Sequence, residues 1–536
     1  MPIHLYAAQV DVLREQAIQN YRAGQTQQAV SQLDQLLNKY PHDQKLLADY
    51  LFIMSSEKRD LTNFSRFLVN INYADFPEYA KLPLIQNFRD FKHFKTAIDW
   101  SKKFNIQKSV DGRILLSVLY AEAQDVANAK DQLSKIDIKG LTADQLVRVA
   151  YAYRLINLPV DALATVEHAY QQQPKSSSVL QEYVYDLIAT GSYKKAQQLL
   201  QASEKTEQTV QMLKTLQVSE FSQHINNAIA RYKYLNREGL SDAESFAELD
   251  KVLEQGQKMH QQMNPSDPNY LRFYYDYLYG LDFRGRSKAV IESFTQLNIP
   301  LEKLPAYVRH AIADSYLAEQ KPKQAEFAYK TLLTEKNYPD MTVYTGLYYS
   351  YIEQEKYKEA EQLLAEVDRL IPTYKYSQAK GVDKISHPDR DDYIALQGMH
   401  LAYANHLDQA EKHFQKKVEQ APANESLINN LARVERWREK PLEAKKTISR
   451  LNGIDPIAKD TRINEMQNAQ ALGDIPTWRK TTQNLVQYYP DDSGVIKSRK
   501  ELEDRNRVTI SHSTTWGQSK ADGRDTVSGQ NCLKDR

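Results

Sequence analysis

Histidine, cysteine and paired carboxylates do most protein chemistry, and in this chain of 536 residues they are placed against it. His93, His168, His310, His400 and His413 are scattered. No two stand in the H-x-x-x-H or H-E-x-x-H spacing that sets two imidazoles on one helix face around a metal. No phosphate-cradling G-x-x-x-x-G-K-[ST], nucleophile-elbow G-x-S-x-G or dinucleotide G-x-G-x-x-G occurs. The one cysteine, Cys532, leaves everything before it without disulfide, thiol or zinc-thiolate chemistry. These features predict no enzyme, no metal site and no cofactor. The chemistry left is non-covalent: tyrosine rings that stack on flat apolar faces and carboxylates that pair with cations. The run Tyr270-Leu-Arg-Phe-Tyr-Tyr-Asp-Tyr-Leu-Tyr279 is the densest aromatic cluster.

A periodic alanine reveals the elements that must position such groups. It stands at Ala97, Ala129, Ala162 and Ala196, at Ala289, Ala325 and Ala360, and at Ala410 and Ala444. The steps are 32, 33 and 34, then 36 and 35, then 34. A proline follows twelve residues later at Ala29/Pro41, Ala162/Pro174, Ala360/Pro372, Ala410/Pro422 and Ala444/Pro456. A period near ~34 in this phase is the tetratricopeptide signature: two antiparallel helices that bury their apolar faces only by stacking on neighbours, with a small residue where they cross. Gly24, Gly191 and Gly473 fall in the turns between helices, where a left-handed residue is commonly needed.

The expected fold is therefore all-α, a tetratricopeptide-repeat superhelical solenoid over residues 9–505. Repeats 42–75 and 203–268 are degenerate. The step of 50 from Ala360 to Ala410 is 16 longer than one period of ~34, which predicts a loop insertion over 373–389. Residues 1–8 are too short for a signal peptide but end like the tail of one, in Leu5-Tyr6-Ala7-Ala8. After a last helix the period switches to two: Val508, Ile510, His512, Thr514 and Trp516 alternate with hydroxyl residues. The segment 506–536 thus reads as an isolated β-strand remnant, followed by a turn over Gly517–Gly523 and disordered for want of a partner strand. Charged residues are 26% of the chain and balance to +1, so nothing in the net charge recruits nucleic acid.

Counting from the alanine phase, the first-helix residues that can face a groove are Tyr274 and Asp282, then Tyr307, His310 and Asp314, then Tyr349 and Glu353, then Asp392 and Tyr403. Tyrosine is also a standard first-helix core residue, so part of this set packs inward on any helix.

The chain resembles a known family, the outer-membrane export porins for poly-β-1,6-N-acetylglucosamine, a biofilm polysaccharide. The resemblance runs over residues 9–530. Its markers are Gln409-Ala410-Glu411-Lys412, Ala421-Pro422-Ala-Asn424, Arg436-Trp437 with Pro441, and Asp492-Ser-Gly494-Val495 before the final helix and strand. The resemblance implies a periplasmic scaffold at the outer membrane. It would recruit a partner deacetylase and guide partly deacetylated polymer to a pore formed by a β-barrel, of which only the first strand would be present here. Such a polymer is cationic and presents sugar faces, which carboxylates and rings suit. Membrane contact would come only through the barrel. A stand-alone adaptor gripping a peptide or protein partner in its groove is the other reading of such a solenoid.

Overall fold

The computed structural model describes residues 3–336, 338, 340–377, 383–505, 507, 510–521 and 524–535. Val508 and Thr509, part of the expected strand, and 378–382, part of the expected insertion, lie outside the described residues. The fold is all-α, built of tetratricopeptide-type helical hairpins, in two compact units, 1–220 and 221–536.

One local geometry generates most of the hairpins. The first helix ends on a left-handed residue, and five residues later a small side chain closes the first turn of the second helix. The pairs include Gly24 and Ala29, Lys92 and Ala97, Gln124 and Ala129, Asn157 and Ala162, and Gly191 and Ala196. They continue through Gln320 and Ala325, Glu355 and Ala360, Asn405 and Ala410, and Glu439 and Ala444. Each of these alanines is fully buried. Its amide donates to the carbonyl four residues back, as Ala162 does to Leu158 at 3.1 Å and Ala410 to His406 at 3.0 Å. Reversing direction in so few residues requires the positive φ, which asparagine tolerates and which costs other non-glycine residues about 1–2 kcal/mol. Most of these turns carry that cost, so it is offset by the packing that follows. One member of the ladder is misassigned by the sequence period. Ala289 is only half-buried, and the buried residue five after Gly285 is Val290.

In the first unit the hairpins include Glu78–Asp90 with Phe94–Phe104, Ala143–Leu155 with Pro159–Gln172, and Ser177–Ala189 with Tyr193–Ala202. The stretch 42–75 keeps its first helix, Gln44–Ser56, but its second shrinks to the short turns Leu61–Phe64 and Ser65–Leu68. Residues 3–8 are the opening turns of the Ile3–Arg22 helix. The second degenerate stretch is dominated by one helix of 31 residues, Glu207–Arg237, within which the two units divide.

The second unit carries the helical pairs Tyr270–Phe283/Ser287–Leu297, Ala306–Ala318/Pro322–Leu332, Met341–Ile352/Tyr357–Leu370, Arg390–Tyr403/Leu407–Gln420, Glu425–Trp437/Pro441–Ser449 and Lys459–Ala471/Ile475–Tyr488. Its chain returns on itself: the Arg284 guanidinium bonds Asp250 at 3.0 Å and Asp491, 207 residues further on, at 3.4 Å. The expected insertion is not only loop. Tyr374–Ser377 pairs antiparallel with Asp383–Ser386, Tyr374 opposite Ser386.

The C-terminal expectation is corrected. The strand does not stand alone and does not turn at Gly517. Ile510–Ala521 pairs in antiparallel register with Arg524–Asp535, from Ile510 opposite Asp535 to Ala521 opposite Arg524. The second strand lacks apolar alternation, which is why period-two reading misses it. A hairpin needs only backbone partners, and these satisfy the donors and acceptors that a lone strand leaves open.

Ala410 is fully buried in a cluster that includes Met399, Phe414 and Leu431. Ala410→Leu is expected to destabilise the second unit by roughly 1–3 kcal/mol through overpacking. Denaturant unfolding followed by circular dichroism checks this, and an unchanged midpoint would show that the crossing is not close-packed.

Candidate functional site

First helices of successive hairpins lie side by side, so one face of each forms a continuous wall. On Met341–Ile352 that face is Thr342, Thr345 and Tyr349, three and four residues apart. Val343, Leu347 and Tyr348 of the same helix are buried behind it. Arg390–Tyr403 contributes Asp392, Leu396 and Met399 at the same helical spacing, Ala306–Ala318 contributes Asp314, and Glu425–Trp437 contributes Asn430 and Arg433. Together they line an open cavity of about 660 Å³.

The structure brings three of the expected groove residues, Asp314, Tyr349 and Asp392, into this cavity. Asp314 accepts a hydrogen bond from the hydroxyl of Tyr329, and His310 stands 3.7 Å away. Tyr329 sits on a second helix yet reaches the groove because Gly346 has no side chain. A Cβ there would meet the Tyr329 ring at 2.2 Å. The Asp314 side chain is 46% exposed, but the surrounding walls crowd it. Burial raises its pKa, an effect opposed by His310 and by the Tyr329 hydroxyl. Burial also raises the Asp392 carboxyl, with Asp389 and Asp391 adding to the shift. Both carboxylates are thus held at a cost that a cation would relieve.

The other expected residues have different places. Tyr403 continues from Tyr349 as a ladder of rings: Tyr349 and Tyr403 lie 6.2 Å apart, and Tyr403 and Trp437 lie 5.9 Å apart. Trp437 is 40% exposed. Tyr274 is core, 2% exposed, stacked on Tyr270 at 5.5 Å and against the tilted His260 ring at 4.9 Å, so its groove assignment is corrected. Asp282 turns into the contact with the next first helix, where the Ser315 hydroxyl donates to it at 2.9 Å, and burial pushes its pKa well up. Tyr307 donates its hydroxyl to Asp276 at 2.9 Å, bridging neighbouring helices. His310 meets the Tyr338 hydroxyl through Nδ1 at 3.3 Å. Glu353 caps the end of Met341–Ile352, exposed and outside the cavity lining.

Sequence spacing missed Tyr329, Arg433 and Trp437. Tyr329 lies on the wrong helix for a groove count, and only the glycine opposite it signals its reach. Trp437 is one helical period beyond Arg433 and Asn430, a spacing that would have found it. Among the described residues no group of three or more histidine, cysteine or acidic side chains could hold a metal ion, and no helix is long and apolar enough to cross a membrane.

Two titrations follow from this geometry. Asp314 should titrate above the ordinary 3.8, and Tyr329→Phe should raise it further by removing a donor to the ionised form. Carboxyl-carbon NMR reads both, and a parent midpoint at or below 3.8 contradicts the geometry. Asp282, raised by folding, contributes stability below its unfolded pKa that is lost as pH rises through the native value. Asp282→Asn, neutral throughout, should therefore gain stability over the parent as pH climbs from 4 toward neutral, measured as a difference in thermal midpoints. A constant difference would show that Asp282 is not held protonated.

No family model and no curated protein matches the chain. Among solved structures, a tetratricopeptide repeat protein from Parabacteroides merdae aligns at 14% identity over 52% of this chain and 99% of its own, with a TM-score of 0.37. The Cut9–Hcn1 hetero-tetramer of the APC/C aligns at 13% identity over 94% and 92%, with a TM-score of 0.35. The pilF protein of Pseudomonas aeruginosa aligns at 17% identity over 46% and 99%, with a TM-score of 0.26. Likenesses this loose assign no activity or partner, and the repeat fold rests on the chain's own helical hairpins.

Proposed function

We propose that the chain is a non-enzymatic binding scaffold whose groove takes a cationic, sugar-faced polymer, partly deacetylated poly-β-1,6-N-acetylglucosamine. We propose further that it serves a polysaccharide exporter at the periplasmic side of the outer membrane, where it recruits the deacetylase that prepares the polymer. The observation carrying this reading is the ring ladder Tyr349–Tyr403–Trp437 beside Asp314 and Asp392. Rings spaced along successive first helices suit the C–H faces of consecutive sugars. Carboxylates whose ionised form is disfavoured by their surroundings gain most from an ammonium partner. Free glucosamine amines supply that ammonium and acetylated units do not, so the degree of deacetylation would set affinity. The resemblance to the export porins supports the placement and the deacetylase.

The second reading, an adaptor for a peptide, is favoured by the polar far wall, where Asn430 and Arg433 offer amide and guanidinium donors to a backbone.

Titrating the protein with β-1,6-glucosamine oligomers, against fully acetylated oligomers of equal length, tests the proposal. Saturable binding of the deacetylated series is expected, weakened roughly tenfold by Asp314→Asn, as for loss of a charge-assisted contact. Equal binding of both series, or none, would sink it. Co-purification with the exporter's deacetylase tests the recruitment role separately.

A further inference from the structure

The Arg433–Arg436 end of the groove has an electrostatic arrangement that the polymer does not explain. Arg154 of the first unit and Arg436 of the second stand at the same place in their hairpins, three residues before the left-handed turn residue, Asn157 and Glu439 respectively. Each reaches forward to the next first helix. Arg154 bonds two carboxylates, Glu182 28 residues on and Asp186 32 residues on, the latter at 2.9 Å. Arg436 bonds two carboxamides instead: Asn464, also 28 residues on, at 3.0 Å, and Gln467, 31 residues on, at 2.6 Å. The geometry of the rung is kept and its negative charge is gone.

Among the described residues no carboxylate forms an ion pair with Arg436 in its place. Among the described residues neither Arg433 nor Arg436 has an ion-pair partner; Arg433 donates only to the Asn430 carboxamide, at 3.4 Å. The two guanidinium groups are three residues apart on Glu425–Trp437 and repel each other. Burial, with Arg433 adding to it, pushes Arg436 down to about 10. Arg436 forms the wall of a second open cavity, about 400 Å³, together with Trp437, Gln467, Lys497 and Glu501. Its one carboxylate, Glu501, is engaged by the Gln470 side chain. A half-buried guanidinium with only neutral partners is a costly arrangement that an incoming anion would relieve. Two of its N–H groups are aligned by the carboxamides, so the group is oriented before the anion arrives.

We propose that Arg436, flanked by Arg433 and Lys497, is a binding site for side-chain carboxylates of an acidic polypeptide segment, with Trp437 packing against the peptide beside it. Guanidinium forks match the planar carboxylate, and the open cavity continues along the first helices as an extended chain requires. The site adjoins the Asp314/Asp392 cavity, whose lining includes Arg433, and shares Trp437 with the ring ladder, but the cationic character of Arg436 does not depend on the polymer reading.

The test uses the full chain and an end-capped hexaglutamate peptide, with hexaglutamine and inorganic phosphate as comparisons. Calorimetric titration is expected to show saturable, salt-sensitive binding of hexaglutamate and none of hexaglutamine. Gln467→Glu gives Arg436 a carboxylate partner of the kind that the Arg154 rung has. It is expected to keep or raise the thermal midpoint while weakening hexaglutamate at least tenfold. Gln467→Ala, which removes an aligning partner but adds no charge, is expected to weaken it less. Absence of binding by the parent, or unchanged affinity in Gln467→Glu, overturns the proposal. So does phosphate binding as tightly as the peptide, which would make this a small-anion site.

Discussion

The structure depends on how closely two helices can cross at one point in each hairpin. A methyl group at that point, four residues into the second helix, lets the pair close, and the left-handed residue five positions earlier delivers the chain to it. Because the crossing recurs about every ~34 residues, any feature at a given offset from it recurs on the neighbouring helix at the same height. The inter-repeat hydrogen bonds follow this rule: Arg89 to Glu122, Asp282 to Ser315, Asn464 to Asn429, at separations of 33, 33 and 35. The polar side chains of these pairs are therefore met by the neighbouring repeat.

That regularity also makes departures from it informative. Most charged rungs between first helices close on an opposite charge, as Arg14 does on Asp49 and Arg89 on Glu122. Asp314 is held by a tyrosine hydroxyl and Arg436 by two carboxamides. Asp314 and Asp392 share one cavity with Arg433, and Arg436 shares another with the exposed Trp437 that ends the ring ladder.

Much of the fold was legible because helix packing writes a simple mark: small residues at fixed spacing, and prolines that end helices. Reading failed where a different residue met the same steric need. Val290, fully buried, fills a position that the count assigned to Ala289. The site was half legible. Helical phase singled out Asp314, Tyr349 and Asp392, which line one cavity, but it cannot distinguish a tyrosine facing a groove from one packed beneath it. Tyr274 is packed beneath, where the neighbouring His260 and Tyr270 rings cover it. Tyr329 enters from the second helix through the gap at Gly346, a contact that no periodicity contains.

The amino-acid sequence by itself determined the all-α hairpin repeat, the turn positions and the interruption after Ile371. These follow from steric and hydrogen-bonding rules acting within some forty residues of chain. Only the tertiary structure decided which side chains share a cavity, which carboxylates are crowded, and which arginines lack a counter-charge. Those properties arise between residues whose approach is set by the stacking of successive hairpins. The C-terminal pairing belongs with them: the strand from Ile510 is visible as a pattern, but its partner, Arg524–Asp535, is recognised by backbone hydrogen bonds that leave no mark on side-chain type.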